Sequence, residues 1–253
     1  MRVIALGVGG AFTDRFYHTN YLVEVSGVRM LIDVGTTLRY SLQAAGYTAR
    51  DINRVAITHF HSDHAGGLEE FAQRCRYMYQ YRPAVYAMMD QIPLLKSMFA
   101  LHGANIDDYV DVIPVENPMS ITENDAGKYQ LEYFSTNGLH ATVTSNYIVS
   151  ISRIDSLNGV KRVVFTGDIG SIEKSPLGGL VADPDTVAVF HDCYTGKMPS
   201  KDHPSLQQLE AFYPPEQRCK IHLIHYGDNI SDYTEYIRGL GFKLAIQGEP
   251  ITW

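Results

Sequence analysis

The segment His59-Phe60-His61-Ser62-Asp63-His64 places three imidazoles and a carboxylate within six residues. His59 and His61 are two apart, so on an extended backbone both project the same way, with Asp63 and His64 just beyond them. Desolvating four such groups together is costly unless a cation sits among them. Neutral imidazole nitrogens and a carboxylate oxygen are borderline ligands that suit zinc and also accept manganese or iron. The chemistry they point to is metal-assisted. The competing reading is a chance cluster of surface histidines.

Ligands of this kind need a stiff support. The run Val55-Ala56-Ile57-Thr58 predicts a strand that ends where the cluster begins, the usual placement of functional groups in α/β proteins. Gly66-Gly67 follows and leads into a helix predicted over 68–74. Upstream, the apolar runs 3–6, 21–25 and 30–32, separated by glycines, read as strands joined by tight turns, with a short helix over 37–47. Downstream, 84–87, 110–115, 129–134, 146–152, 162–166, 187–190 and 221–224 read as strands, and Asn158-Gly159 as a hairpin turn. Helices are predicted over 90–101 and 205–212. In the first of these, Ile92, Leu95, Met98 and Phe99 recur near helical spacing, which reads as a stripe facing the core. With no repeat, low-complexity tract or linker, residues 1–253 are expected to form one α/β domain.

Composition narrows the partners. At 45% hydrophobic and 19% charged residues the chain has ample material for a core. A formal net charge of −7 with no run of Lys or Arg disfavours a long polyanionic partner, since nothing resembles the basic face that neutralises a nucleic-acid backbone. A small anionic substrate stays compatible, because a metal pair adds positive charge that a side-chain count omits. Cys75, Cys193 and Cys219 are too widely spaced for a CxxC site and too few for a disulfide framework, so free thiols in a reducing compartment are expected. No apolar run reaches the length of a membrane span, and the expected location is the cytoplasm.

His59, His61, Asp63 and His64 match the HxHxDH signature, and on it the chain resembles the metallo-β-lactamase superfamily. The resemblance continues in the family's order through Leu31-Ile32-Asp33-Val34-Gly35, His140, Thr166-Gly167-Asp168 and His225. It implies an αββα sandwich of two mixed sheets flanked by helices, and a binuclear hydrolase. Carried over residue by residue, His59, His61 and His140 bind one divalent ion (Zn2+ or Mn2+), Asp63, His64 and His225 bind a second, and Asp168 bridges them. Asp63 additionally orients or deprotonates the attacking water. Asp33 accepts a hydrogen bond from a ligand histidine and fixes its tautomer; alternatively it caps a turn at a strand end.

Within the superfamily, His191-Asp192-Cys193-Tyr194 and His203-Pro204-Ser205 resemble two segments of the tRNA 3′-processing endonuclease (RNase Z) branch, with Asp192 and Pro204 departing from the usual Glu and Ser. A phosphodiester needs a proton for its departing alkoxide, and a histidine oriented by a carboxylate can give it. His203 is the candidate general acid and Asp192 its orienter. Alternatively, His203 only flanks the helix that begins near Ser205. The glycines of Leu6-Gly7-Val8-Gly9-Gly10 resemble that branch's opening loop, which serves as a phosphate cradle or as a plain turn.

Between His64 and His140 there is no basic, glycine-rich arm of the kind that grips tRNA, and residues 76–110 are rich in tyrosine and apolar positions. The chain is most similar to the compact phosphodiesterases of this branch that cleave cyclic nucleotides, among them the anti-Pycsar enzymes of phages and bacteria. That resemblance implies hydrolysis of 3′,5′-cyclic mononucleotides and a homodimer. The alternatives are a tRNA 3′-processing endonuclease, a thioester or lactone hydrolase of the same fold, and a metal-binding protein without catalysis.

Overall fold

The computed structural model describes every residue except 124–126, 142–144, 158, 197 and 199, so Asn158 of the expected hairpin turn lies outside the described residues. One sheet is built from β1 (Arg2–Gly7), β2 (Asn20–Val25), β3 (Val28–Ile32), β4 (Arg54–Ala56), β5 (Ala84–Ala87) and β6 (Asp111–Pro114). The other holds β7 (Met119–Glu123), β8 (Gly127–Ser135), β9 (Tyr147–Asp155), β10 (Gly159–Phe165), β11 (Thr186–Asp192), β12 (Ile221–Ile224) and β13 (Lys243–Leu244). The final strand, β14 (Pro250–Thr252), returns to the first sheet and pairs antiparallel with β1.

Both sheets follow the same plan. In the first, β14, β1, β2 and β3 are antiparallel and β3 to β6 run parallel. In the second, β7 to β10 are antiparallel and β10 to β13 run parallel.

Strand residues alternate between the faces of a sheet, and here both faces are covered, which is why the strands read as unbroken apolar runs. Val3, Ala5, Tyr21, Val23, Met30 and Ile32 join one buried cluster with Leu131, Ile148, Val163 and Phe190 of the second sheet. Ile4, Leu6, Leu22, Leu31 and Val55 face the other way, into a cluster capped by α1 (Leu38–Ala44), α2 (Ser62–Ala65), α3 (Leu68–Tyr79) and α4 (Ile92–Leu101). Leu95 and Phe99 of α4 are fully buried there, with Ile92 and Met98 packed against them. The second sheet is covered by α5 (Leu177–Ala182), α6 (Leu206–Phe212), α7 (Pro215–Arg218) and α8 (Thr234–Gly239), of which Leu177, Leu209 and Ile237 are buried. The layers are therefore helix, sheet, sheet, helix.

Boundaries differ from expectation where tertiary bonds decide them. The strand expected over 55–58 ends at Ala56, because the carbonyls of Ile57 and Thr58 are taken by Gln91, and that of Thr58 also by the amide of Tyr147. Beyond the expected helix over 68–74, α3 continues to Tyr79 and ends on Gln80 in the left-handed region. β7, β13, β14, α2, α5, α7 and α8 were not expected from the sequence.

Candidate metal centre

The candidate residues converge where the C-terminal ends of β3, β4, β10, β11 and β12 meet. Asp33 follows β3, His59 and His61 follow β4, and Asp63 and His64 lie in the first turn of α2. From the second sheet come His140 on the β8–β9 connection, Asp168 after β10, Asp192 at the end of β11 and His225 after β12. Gly167 makes the turn into Asp168: its φ is +58°, and a Cβ there would stand 2.9 Å from the Thr58 side chain. Asp33 and His225 hold left-handed backbones, at φ 64° and 62°. Such conformations cost about 1–3 kcal/mol each in non-glycine residues and persist only where the surroundings fix them.

Two donor sets result, each with its ligand atoms within 4.8 Å of one another: His59, His61, His140 and Asp168, and Asp63, His64, Asp168 and His225. Asp168 divides its oxygens between them. Oδ2 lies 3.5 Å from His140 Nε2 and 3.8 Å from His59 Nε2, while Oδ1 lies 3.1 Å from His64 Nε2 and 3.4 Å from His225 Nε2. Asp63 Oδ2 completes the second set, 3.2 Å from His225 Nε2 and 3.4 Å from His64 Nε2.

Hydrogen bonds turn the rings. His64 Nδ1 donates to Asp33 Oδ2 at 2.7 Å, His140 Nδ1 donates to the carbonyl of Asp202 at 2.8 Å, and His59 Nδ1 stands 3.1 Å from Thr58 Oγ1, itself a donor to Asp33. Each bond engages Nδ1 and leaves Nε2 facing inward, the arrangement by which outer partners orient ligand histidines. Asp33 is tied in turn by the amide of Thr58 at 2.8 Å.

A cation fits this donor set. Nε2 of His59, Nε2 of His64 and Oδ1 of Asp168 are buried without a hydrogen-bond partner, an arrangement rarely left uncompensated in a native interior. Electrostatics agree. Burial works to raise Asp168, but the charge of His225 and His64 outweighs it and holds the carboxyl well below its usual range. Burial likewise opposes protonation of His225, yet Asp168, Asp192 and Asp63 push it up to about 10. His59 is driven down by burial and by the charge of His64. A bound cation would do for these carboxylates what imidazolium protons otherwise do.

Beside the second set stands another pair. His203 Nδ1 donates to Asp192 Oδ2 at 2.9 Å, and its ring stacks on that of His225 at 4.9 Å and 22°. Asp192 is fully buried, accepts the amide of Ile169 at 3.1 Å, and has Oδ1 3.5 Å from His225 Nδ1. Burial pulls the His203 ring down in pKa, but the Asp192 charge outweighs it and raises it above the ordinary histidine value.

Three supporting residues carry no signal in the sequence. Gln91, fully buried at the start of α4, donates to the carbonyls of Ile57 and Thr58 at 3.1 and 3.3 Å and accepts the amide of Met88. Asp202 holds His140 and, through Oδ1, the amide of Ala141. Asn146 donates to the carbonyl of Asp168 at 2.9 Å. The glycines of the opening loop serve close approach: a Cβ on Gly10 would stand 3.2 Å from the His225 ring.

Comparison with known proteins accords with this geometry. The family model described as Anti-Pycsar protein Apyc1 matches residues 1–248. The chain is 29% identical to Anti-Pycsar protein Apyc1 of Bacillus phage 010DV004, over 98% of this chain and 96% of that one. It is 30% identical to the protein of the same name from Paenibacillus harenae, over 92% of each. Among solved structures, the metallo-β-lactamase fold protein YhfI from Bacillus subtilis superposes with a TM-score of 0.74 at 15% identity, covering 99% of this chain and 98% of the other.

Proposed function

The chain belongs to the Anti-Pycsar protein Apyc1 family, and on that premise we propose that it is a metal-dependent phosphodiesterase that hydrolyses 3′,5′-cyclic mononucleotides, countering cyclic-nucleotide immune signalling. The observation that carries the reading is the His203–Asp192 pair standing beside two donor sets that share Asp168. Loss of an alkoxide from phosphorus calls for such an acid, whereas a thiolate leaving an acyl group, being far less basic, does not.

In this reading His59, His61, His140 and Asp168 Oδ2 hold one divalent ion, and Asp63, His64, His225 and Asp168 Oδ1 hold the other. Zinc or manganese bound there would supply Lewis acidity toward the phosphoryl oxygens and bring the pKa of water toward neutrality. Asp63 is kept ionised, because the hydrogen bond from His225 and the neighbouring ring of His64 outweigh the burial that opposes its charge, so its carboxylate can accept from and orient the attacking water. His203 gives its Nε2 proton to the departing ribose oxygen, while Asp192 on Nδ1 fixes the ring and the tautomer. The P–O bond to water thus forms as Asp63 takes the water proton, the P–O bond to ribose breaks as His203 gives up its own, and exchange with solvent restores both groups, leaving a nucleoside monophosphate.

Size and charge support a small substrate. Residues 76–110, set against the tRNA-gripping arm above, contain the end of α3, β5 and α4, all on the first sheet, and the net charge is −7. The reading includes a homodimer, for which exposed Tyr77, Met78, Leu94 and Leu101 on α3 and α4 offer apolar surface, and action in the cytoplasm of the host. No helix among the described residues is long and apolar enough to cross a membrane.

A panel assay of the protein loaded with manganese or zinc tests the reading. Turnover of 3′,5′-cyclic mononucleotides is expected; no cleavage of any of them, alongside turnover of precursor tRNA or of a thioester, would overturn it.

A further inference from the structure

Phe12 is 99% exposed, in a chain whose other phenylalanines are at least partly buried. It sits at the tip of the loop that leaves β1, and the backbone on either side of it is fixed. On the near side, Gly10 donates to the carbonyl of Tyr226 at 3.2 Å, and Gly9 bridges to both His18 and Tyr226. On the far side, the carboxylate of Asp228 gathers the Thr13 hydroxyl and the amides of Asp14 and Arg15, and Arg15 Nη1 donates to the Asp228 carbonyl at 2.9 Å. Only Ala11 and Phe12 lie between these anchors.

The near anchor belongs to the rim of the second donor set. Gly10 stands against the His225 ring, and the half-buried ring of His18, beside Ala11 and bonded to Thr36 Oγ1 at 3.1 Å, lies close enough to Asp63, His64 and His225 to feel their charges. Consecutive Cα atoms are about 3.8 Å apart, so the Cα of Phe12 is within about 7.6 Å of that of Gly10. Gly10 itself lies against the His225 ring, so Phe12 stands two residues along the chain from the second donor set.

We propose that Phe12 is the platform on which the nucleobase of the substrate stacks. A ring held out by a fixed backbone has only two side-chain torsions to order, so it presents its π-face at small entropic cost. Stacking reads the presence of a base rather than its hydrogen-bonding edge, so this contact favours cyclic nucleotides as a class without ranking purines by their substituents. It contributes to ground-state and transition-state binding alike and therefore acts on KM. This inference rests on the cyclic-nucleotide reading above.

The test compares the metal-loaded wild-type protein with Phe12→Ala and Phe12→Trp on a 3′,5′-cyclic mononucleotide and on a methyl riboside 3,5-cyclic phosphate, which lacks the base. Phe12→Ala is expected to raise KM for the nucleotide about tenfold with kcat within about twofold, near the low end for loss of a base stack. Phe12→Trp retains the wild-type KM, and all three proteins act equally on the baseless ester. An unchanged nucleotide KM in Phe12→Ala, or an equal loss on both substrates, overturns the platform and leaves the phosphodiesterase reading intact. Wild-type protein that cleaves no cyclic nucleotide overturns both.

Discussion

Nδ1 of His203 and Oδ2 of Asp192 stand 2.9 Å apart, and the carboxylate of that pair has no solvent exposure of its side chain. A buried carboxylate stabilises a proton on the ring that faces it, so His203 keeps its proton to higher pH than a free histidine would. In the proposed reaction the ring must be protonated to serve as acid.

The pH profile follows with a definite sign. A raised pKa means that the acid form persists above pH 6.5 and is lost only as pH climbs through the shifted value, so kcat/KM falls on its alkaline side above that point. Asp192→Asn removes the charge and leaves burial, which works in the opposite direction; the alkaline limb then moves to lower pH. Profiles of log kcat/KM for the two proteins check this, and coincident alkaline limbs would count against His203 as the acid.

His203→Ala is expected to lower kcat for a cyclic nucleotide by about a hundredfold or more, the scale of a general acid, while bound metal measured by mass spectrometry stays at the wild-type level. Loss of metal together with activity would make His203 a ligand.

Asp168 and His140 are expected to differ in their metal stoichiometry. Asp168→Ala removes an oxygen from each donor set and depletes metal at both, whereas His140→Ala weakens only the set it shares with His59 and His61. Metal content after gel filtration reads the difference, and equal depletion in the two variants would contradict a shared Asp168.

Metal affinity is expected to strengthen as pH rises through neutrality. The carboxylates push His225 up to about 10, so at pH 7 its ring is protonated before a cation arrives and neutral afterwards. Each displaced proton makes the apparent association constant rise up to about tenfold per pH unit below that value. Calorimetric titration in buffers of different ionisation enthalpy measures the released protons; none released at pH 7 would overturn the assignment of His225 as a ligand.

Gln91→Leu is expected to cost about 1–3 kcal/mol, because it leaves the buried carbonyl of Ile57 without its donor two residues before His59. Urea denaturation of the metal-free protein gives this value directly. A loss of metal affinity specific to the His59, His61 and His140 set, read against His64→Ala as a reference, separates placement of the strand end from general destabilisation.

How much of this was legible in the sequence depended on whether the information was local. The six-residue histidine segment carries its own spacing, and strands buried on both faces announce themselves as unbroken apolar runs, as in Val163-Val164-Phe165. β13 and β14 are two and three residues long and exist only because a neighbouring strand receives them. Gly178-Gly179 inside α5 argues against a helix by propensity, and packing of Leu177 and Val181 overrides it. Gln91, Asp202 and Asn146 reach the site through bonds spanning 34, 62 and 22 residues, and no local pattern encodes such a partner. His140 was found only through the order of a family's motifs.

The two sheets each contribute part of every donor set: His59, His61, Asp63 and His64 from one side, His140, Asp168 and His225 from the other. Tight binding is therefore a property of the seam and of neither half. A fragment ending after β6 would carry the whole histidine signature and still lack Asp168, which belongs to both donor sets, so metal capture would report that the second sheet has docked. In the proposed reading, ions held by these residues would act as rivets across that seam, and the event that arms the site would lock its halves together.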